Sequence, residues 1–277
     1  MTEESLKSYL IQIQQQDIEW NEVDVNNVVR EMFDHIQTTD IELKEKLIEP
    51  LLSEMVQYHL TESALEALAK KCVDEEHLYK EIGDTVTRYK MTRAFSMYVI
   101  KELVERDVKD VFLSHDTFDL LKREVILYTN LEQDYRFYTE DMGWVNSVLF
   151  SLEALYAIVQ NTRLDPAEYT QIFQTVMNKI FTAQIIYQYD EEEITVDFIQ
   201  LLLEKDFSEQ KIIDFLERVP AFLEGQKEKM THINYWNLYK NCKSLLRSLY
   251  IRLDLCENQP LLLAEVKKCL PKISFTF

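Results

Sequence analysis

The residues best placed to do chemistry lie together in mid-chain. Glu132, Asp134, Arg136, Glu140 and Asp141 fall within ten positions, with Tyr135, Phe137, Tyr138 and Trp144 interleaved. Two carboxylates can serve as acid and base where a cleft separates their pKa values. Aromatic rings beside an arginine suit a recognition surface. Against these stand two plainer readings: the charges are solvated, and the rings pack the loop onto its neighbours. The sequence leaves all of these open.

Other chemistry has less support. The five histidines, His35, His59, His77, His115 and His232, are scattered, and none has another three or four positions away. That pattern does not build a metal site, and no metal or other cofactor is implied. Neither Gly-x-Ser-x-Gly nor a phosphate-binding glycine loop occurs, and no Gly-x-Gly is present. Cys72, Cys242, Cys256 and Cys269 form no Cys-x-x-Cys pair, so buried thiols in a reducing cytoplasm are expected. The first residues, Met-Thr-Glu-Glu-Ser, lack the apolar stretch of an export signal, and no apolar run reaches membrane-spanning length. A cytoplasmic protein without a membrane partner is the expectation.

The chain carries 49 acids against 30 bases, a formal charge of −19. Such a surface repels a phosphate backbone, so no nucleic-acid partner is expected. The charge is uneven: residues 1–84 hold 20 acids and 7 bases, whereas residues 226–277 hold 4 acids and 9 bases. An acidic solubilising coat explains this, as does a basic end that docks on an acidic surface of the same chain or of a partner.

The elements that position these residues read as helices. Three glycines in 277 residues leave little means of building hairpins or phosphate loops. Apolar stripes at helical spacing recur along the chain: Leu6, Leu10 and Ile13; Val25, Val28, Val29, Met32 and Phe33; Leu65, Leu68 and Ala69; Phe118, Leu121 and Val125; Phe173, Val176 and Ile180. Thr2, Thr61, Ser114, Thr195 and Ser208 read as helix caps, and Pro166 and Pro260 as first-turn prolines. Pro50 predicts a kink or break, and Pro271 a stop. Gly83-Asp84 is read as opening a long helix to Arg106 that buries Val86, and Trp144 as starting the helix after the loop. Residues 190–193 read as an acidic linker. The tail, 273–277, reads as extended or disordered.

About a dozen helices of 12–22 residues with short joints, none apolar all round, need only one buried stripe each. An all-α fold follows, of the α–α superhelix kind in which helix pairs stack as in armadillo and HEAT proteins. It is read as a single elongated domain over 1–277, with 1–60 as a candidate cap, 60–255 as the core and 256–277 as a last helix and tail. Arg93, on a half-buried helix face, calls for a carboxylate, and Asp134 and Glu153 are the candidates. Asn237 and Asn241 line the side of the last long helix.

In order and spacing, Thr92-Arg-Ala-Phe-Ser96, Leu131-Glu-Gln-Asp-Tyr-Arg136, Gly143-Trp144, Asn241 and Leu246-Arg-Ser-Leu-Tyr250 resemble the bacterial domain-of-unknown-function family twenty-seven eighty-five, common in Firmicutes. The resemblance spans 60–255. Its members carry Glu-x-Asp-x-Arg-Gly, then Gly-Trp-Ala-His, a second His four positions on and an Asp three further. Glu132, Asp134, Arg136, Gly143 and Trp144 match. Phe137 replaces the glycine, Asn146 and Phe150 replace the two histidines, and Glu153 replaces the aspartate. The resemblance implies a helical fold, and implies that a metal or acid–base site needing both histidines is missing from this chain.

The expected function is a non-enzymatic scaffold that binds a protein or peptide. The alternative is an enzyme or small-ligand binder with a pocket around Asp134, Arg136, Trp144 and Asn146. The candidate ligand or partner surface comprises Arg93, Asp134, Arg136, Glu140, Trp144, Asn146, Glu153, Asn237 and Asn241.

Overall fold

Short polar side chains begin the first helices by accepting from amides that no helical carbonyl reaches. In the computed structural model, which describes residues 1–256 and 258–273, Thr2 accepts from the Ser5 amide and opens α1 (Glu3–Gln14). Asp24 accepts from Asn27 and opens α2 (Val25–His35). The chain then runs through Pro50 without the expected break, as π-helical Leu43–Ile48, α3 (Glu49–Glu54) and π-helical Met55–His59. Pro50 lies in the first turn of α3. The wider π turns before it make room for a ring that would clash with an α-helical carbonyl. Thr61 caps α4 (Glu62–Cys72).

The long helix starts later than the sequence suggests. Asp84 accepts from the Val86 amide and Thr87 from the Tyr89 amide. These local turns compete with helix formation, so α5 spans Lys90–Lys109 and Val86 is left exposed. Ser114 caps α6 (His115–Leu131). The following segment makes a small antiparallel hairpin, β1 (Tyr138–Thr139) with β2 (Gly143–Trp144), before α7 (Ser147–Gln160). Trp144 therefore belongs to a strand and not to a helix.

A 3₁₀ turn, Pro166–Glu168, leads into α8 (Tyr169–Ile180). Next come α9 (Glu191–Glu204), α10 (Glu209–Gln226), α11 (His232–Cys256) and α12 (Pro260–Ile273). Glu191–Glu193 form the first turn of α9, so most of the expected acidic linker is helical and Thr195 lies inside the helix. Pro220 and Pro271 both sit within helices. The tail beyond Ile273 lies outside the described residues.

The architecture is all-α, with twelve α-helices among the described residues. The chain folds as two compact units, Met1–Thr162 and Arg163–Phe277. Within each, helices pack against neighbours one or two positions away in the chain, the stacked-pair pattern of an α–α superhelix. In the first unit α5 lies chiefly along α7 and also meets α4, α6 and α3. In the second, α11 meets α9 and α12, α10 meets α12, and α8 meets α9. Cys72, Cys242 and Cys269 are buried free thiols, whereas Cys256 is exposed.

The expectation of one buried stripe per helix fails for α5. Every residue from Lys90 to Ile100 is buried. An unpaired buried charge costs several kcal/mol, so this enclosure requires partners for Lys90, Arg93, Glu102 and Asp107. Asp107 accepts from the amides of Phe112 and Leu113 and from the Asn161 side chain, at 3.0, 2.8 and 2.7 Å. Glu102 accepts from Ser53 at 2.7 Å and Lys101 at 2.9 Å. Lys90 and Arg93 turn to the mid-chain loop.

Candidate functional site

Lys90 and Arg93 stand one turn apart at the start of α5, and Tyr128 and Glu132 one turn apart at the end of α6. The arginine forks onto Glu132, with Nε to Oε2 at 2.7 Å and Nη2 to Oε1 at 3.1 Å. Neither Asp134 nor Glu153 is its direct partner, as the sequence had suggested. The chain reverses after α6 and carries Asp134 towards Lys90 instead. Arg93 Nη1 donates to the carbonyls of Lys80 and Glu81 at 2.8 and 3.2 Å. Glu132 also accepts from the Tyr128 hydroxyl at 2.8 Å and the Asp134 amide at 2.9 Å. Both side chains of the pair are essentially sealed from water, 0% and 1% exposed.

Asp134 is shared by two cations. Lys90 Nζ lies 3.0 Å from Oδ1 and donates to the Asp134 carbonyl at 2.7 Å and to the Arg136 carbonyl. Arg136 Nε lies 2.9 and 3.0 Å from the two carboxylate oxygens, and its Nη2 reaches the Thr87 carbonyl at 3.1 Å. Burial pushes the Lys90 ammonium down to about 8, against the pull of Asp134. At neutral pH it still carries the proton that its three acceptors require. Burial alone would raise the Asp134 carboxyl, but Arg136 and Lys90 hold it below its usual value. Burial opposes the Arg93 charge too, and Glu132 outweighs it.

A third buried cation fixes the hairpin. Lys44 donates to the carbonyls of Met142 and Trp144, the latter at 2.5 Å, and Glu45 Oε1 accepts from the Trp144 amide at 3.0 Å. Gly143 has φ +69°, and a Cβ there would lie 2.6 Å from Glu45 Oε1. The left-handed backbone favours glycine here, and a side chain would also have to push the Glu45 carboxylate aside. Trp144 pairs across the hairpin with Tyr138, ring centroids 5.4 Å apart, and both rings stay partly exposed. Asn146 takes up φ 42°, ψ 24° immediately before α7, a left-handed position that asparagine tolerates better than most residues. Phe150, the other histidine position of the resemblance, packs its ring 5.2 Å from Tyr98.

Of the remaining candidates, Glu140 is exposed on the hairpin turn. Glu153 lies near Lys101, Glu102 and Glu105, and burial raises its carboxyl. Glu49, facing Lys44 and Lys101, is raised to about 7 by burial. Asn237 and Asn241 belong to the second unit. Asn241 donates to the carbonyls of Thr182 and Ile185 at 3.0 and 2.9 Å and accepts from the Tyr187 amide at 3.1 Å. Asn237 donates to the carbonyls of Ala183 and Gln184. Together they clamp the segment between α8 and α9.

The structure thus joins Arg93, Asp134 and Arg136 in one network and places Trp144 on the adjoining hairpin and Asn146 at the start of α7. The sequence reading missed Lys44, Lys90 and Tyr128. Lys90 carried a usable signal, a lysine three residues before Arg93 in an apolar pattern. Lys44 carried none that tied it to a loop 98 residues away. The network fixes backbone by charge. Lys90, Arg93, Glu132 and Asp134 are sealed from solvent, whereas Arg136, Glu140, Asp141 and the two hairpin rings reach it.

No curated protein and no solved structure matches the chain. The family described as "Protein of unknown function (DUF2785)" matches residues 78–251, a span holding the Arg93–Glu132 pair, the hairpin and the Asn241 clamp. The protein is a member of that family.

Proposed function

We propose that this is a non-enzymatic protein that binds another protein or a peptide, and that its family motif is a folding device. The observation that supports this is the use of the motif charges: Arg93, Glu132, Lys90 and Asp134 satisfy one another and the loop backbone inside the first unit. A general acid or base must reach a substrate atom, and these groups have no open face. The cavities around Leu60 and Leu68 and around His35 and Arg88 are lined by none of these four side chains. No described helix is long and apolar enough to cross a membrane.

The test is affinity purification of the tagged full chain from its native cells, with identification of co-eluting proteins and metabolites. A protein partner retained through washing at moderate salt is the expected result. Recovery of a stoichiometric small molecule and no protein would overturn the reading in favour of a ligand-binding or catalytic pocket.

A further inference from the structure

The second unit carries a groove that the motif does not explain. A cavity of about 320 Å³ opens between α8 and α10, lined by Met177, Phe181, Phe215, Val219, Phe222 and Arg218, among others. Met177 and Val219 are buried and form its floor. Its aromatic wall continues a row of rings: Tyr169 to Phe207 at 6.5 Å, Phe207 to Phe173 at 5.6 Å, Phe173 to Phe215 at 5.4 Å and Phe215 to Phe181 at 5.5 Å. Phe222 closes the groove with 41% of its surface in water. Phe222 thus extends the apolar hollow into a larger exposed apolar surface, the feature that contact sites use.

Charge decides what fits. Arg218 is exposed and has no ion pair or hydrogen bond among the described residues. The acids nearest it on α10 are committed elsewhere, Asp214 accepting from Gln210 at 2.7 Å and Glu217 facing Lys268 at 3.5 Å. Other cavities differ in this respect. At Leu60 and Leu68 the rim cations are engaged, Arg30 by Asn27 and Lys71 over the Phe33 ring. The cavity at Arg88 includes Glu3 and Asp34 in its own lining. The formal charge of this unit is small. Residues 163–277 carry 17 acids and 14 bases, against 32 and 16 in residues 1–162.

Resting on the peptide-binding reading above, we infer that the α8–α10 groove receives an acidic amphipathic segment of a partner protein. An apolar side chain of that segment seats among Phe181, Phe215 and Phe222, and a carboxylate about one helical turn away pairs with Arg218. The rings supply most of the affinity through buried area, and the arginine sets orientation and rejects basic sequences.

The test is selection of random peptides of about 16 residues displayed on phage against the intact protein, followed by titration of the synthesised winners. The expected winners combine Leu, Met or an aromatic residue with Asp or Glu three or four positions away. Arg218→Glu, a surface change, weakens them at least about tenfold with its thermal midpoint unchanged, and Phe222→Ala weakens them at least as much at a temperature well below its own midpoint. Raising salt from about 0.05 to about 0.5 M weakens the parent protein but not Arg218→Ala. Winners rich in Lys and Arg, or winners held equally by both variants, overturn the groove assignment while leaving peptide binding intact. Failure to select any peptide overturns both. Sedimentation showing a dimer that Phe222→Ala dissolves would assign the groove to a second copy of this chain, and would also overturn the proposal.

Discussion

Removal of the Glu132 carboxylate is the most informative single perturbation. Glu132→Ala strips acceptors from four donors, Arg93 Nε and Nη2, the Tyr128 hydroxyl and the Asp134 amide. It leaves a guanidinium sealed from water with only the Lys80 and Glu81 carbonyls as direct partners. Breaking a buried pair from one side costs about 3–5 kcal/mol. For a unit of residues 1–162, each kcal/mol lowers Tm by roughly 2–4 °C, so a fall of about 6–20 °C is expected. Arg93→Met should cost a comparable amount, because it strands the carboxylate instead. The double variant, Arg93→Met with Glu132→Ala, removes both charges. It should recover at least about 2 kcal/mol relative to the sum of the singles. Thermal and urea unfolding followed by circular dichroism give all the corners of the cycle. A Glu132→Ala midpoint within about 1 kcal/mol of the parent, or strictly additive effects, would refute the assignment of this pair to folding.

Three further outcomes follow from the geometry. Gly143→Ala forces a side chain onto a left-handed backbone and displaces the Glu45 carboxylate, and should cost about 1–2 kcal/mol in thermal unfolding; a loss under about 0.5 kcal/mol would contradict the left-handed turn. The Glu49 carboxyl is raised in the folded chain to about 7, so its stabilising protonation is complete below 4.5 and lost as pH rises through 7. Glu49→Gln should therefore match the parent at pH 4.5 and exceed it increasingly up to neutral pH, whereas a difference independent of pH would show that Glu49 titrates normally. Asn241→Ala removes three hydrogen bonds that hold the α8–α9 connection and should destabilise the second unit by about 2–3 kcal/mol; unchanged unfolding would mean that the segment is held by other contacts.

The helical fold was legible because its signals are local. Caps at Thr2, Thr61 and Ser114 and stripes such as Val28, Val29, Met32 and Phe33 depend on residues within two turns. The departures have one local and one distant cause. Val86 lies in an apolar pattern, yet Asp84 and Thr87 bend the backbone before a helix forms. Trp144 joins an apolar run, yet Lys44 and Glu45 draw it into a hairpin from about a hundred residues away. The candidate site shows the same division. That Arg93 needs a carboxylate follows from its place in the α5 pattern. Which carboxylate it takes depends on how the chain reverses after α6, a matter of packing that no spacing encodes. Asn237 and Asn241 read as a polar face, but in the fold they are buried tethers for loop carbonyls.

The central claim is that the mid-chain motif is locked into the fold rather than held ready for a substrate, and amide hydrogen exchange measures this directly. The Asp134, Arg136, Trp144 and Val145 amides donate to Glu132, Asp134, Glu45 and the Phe137 carbonyl. They should exchange as slowly as the buried centre of α5, through unfolding of the whole unit. Exchange within seconds at neutral pH, at rates typical of an exposed loop, would contradict the account and return the motif to the surface, where it could do chemistry.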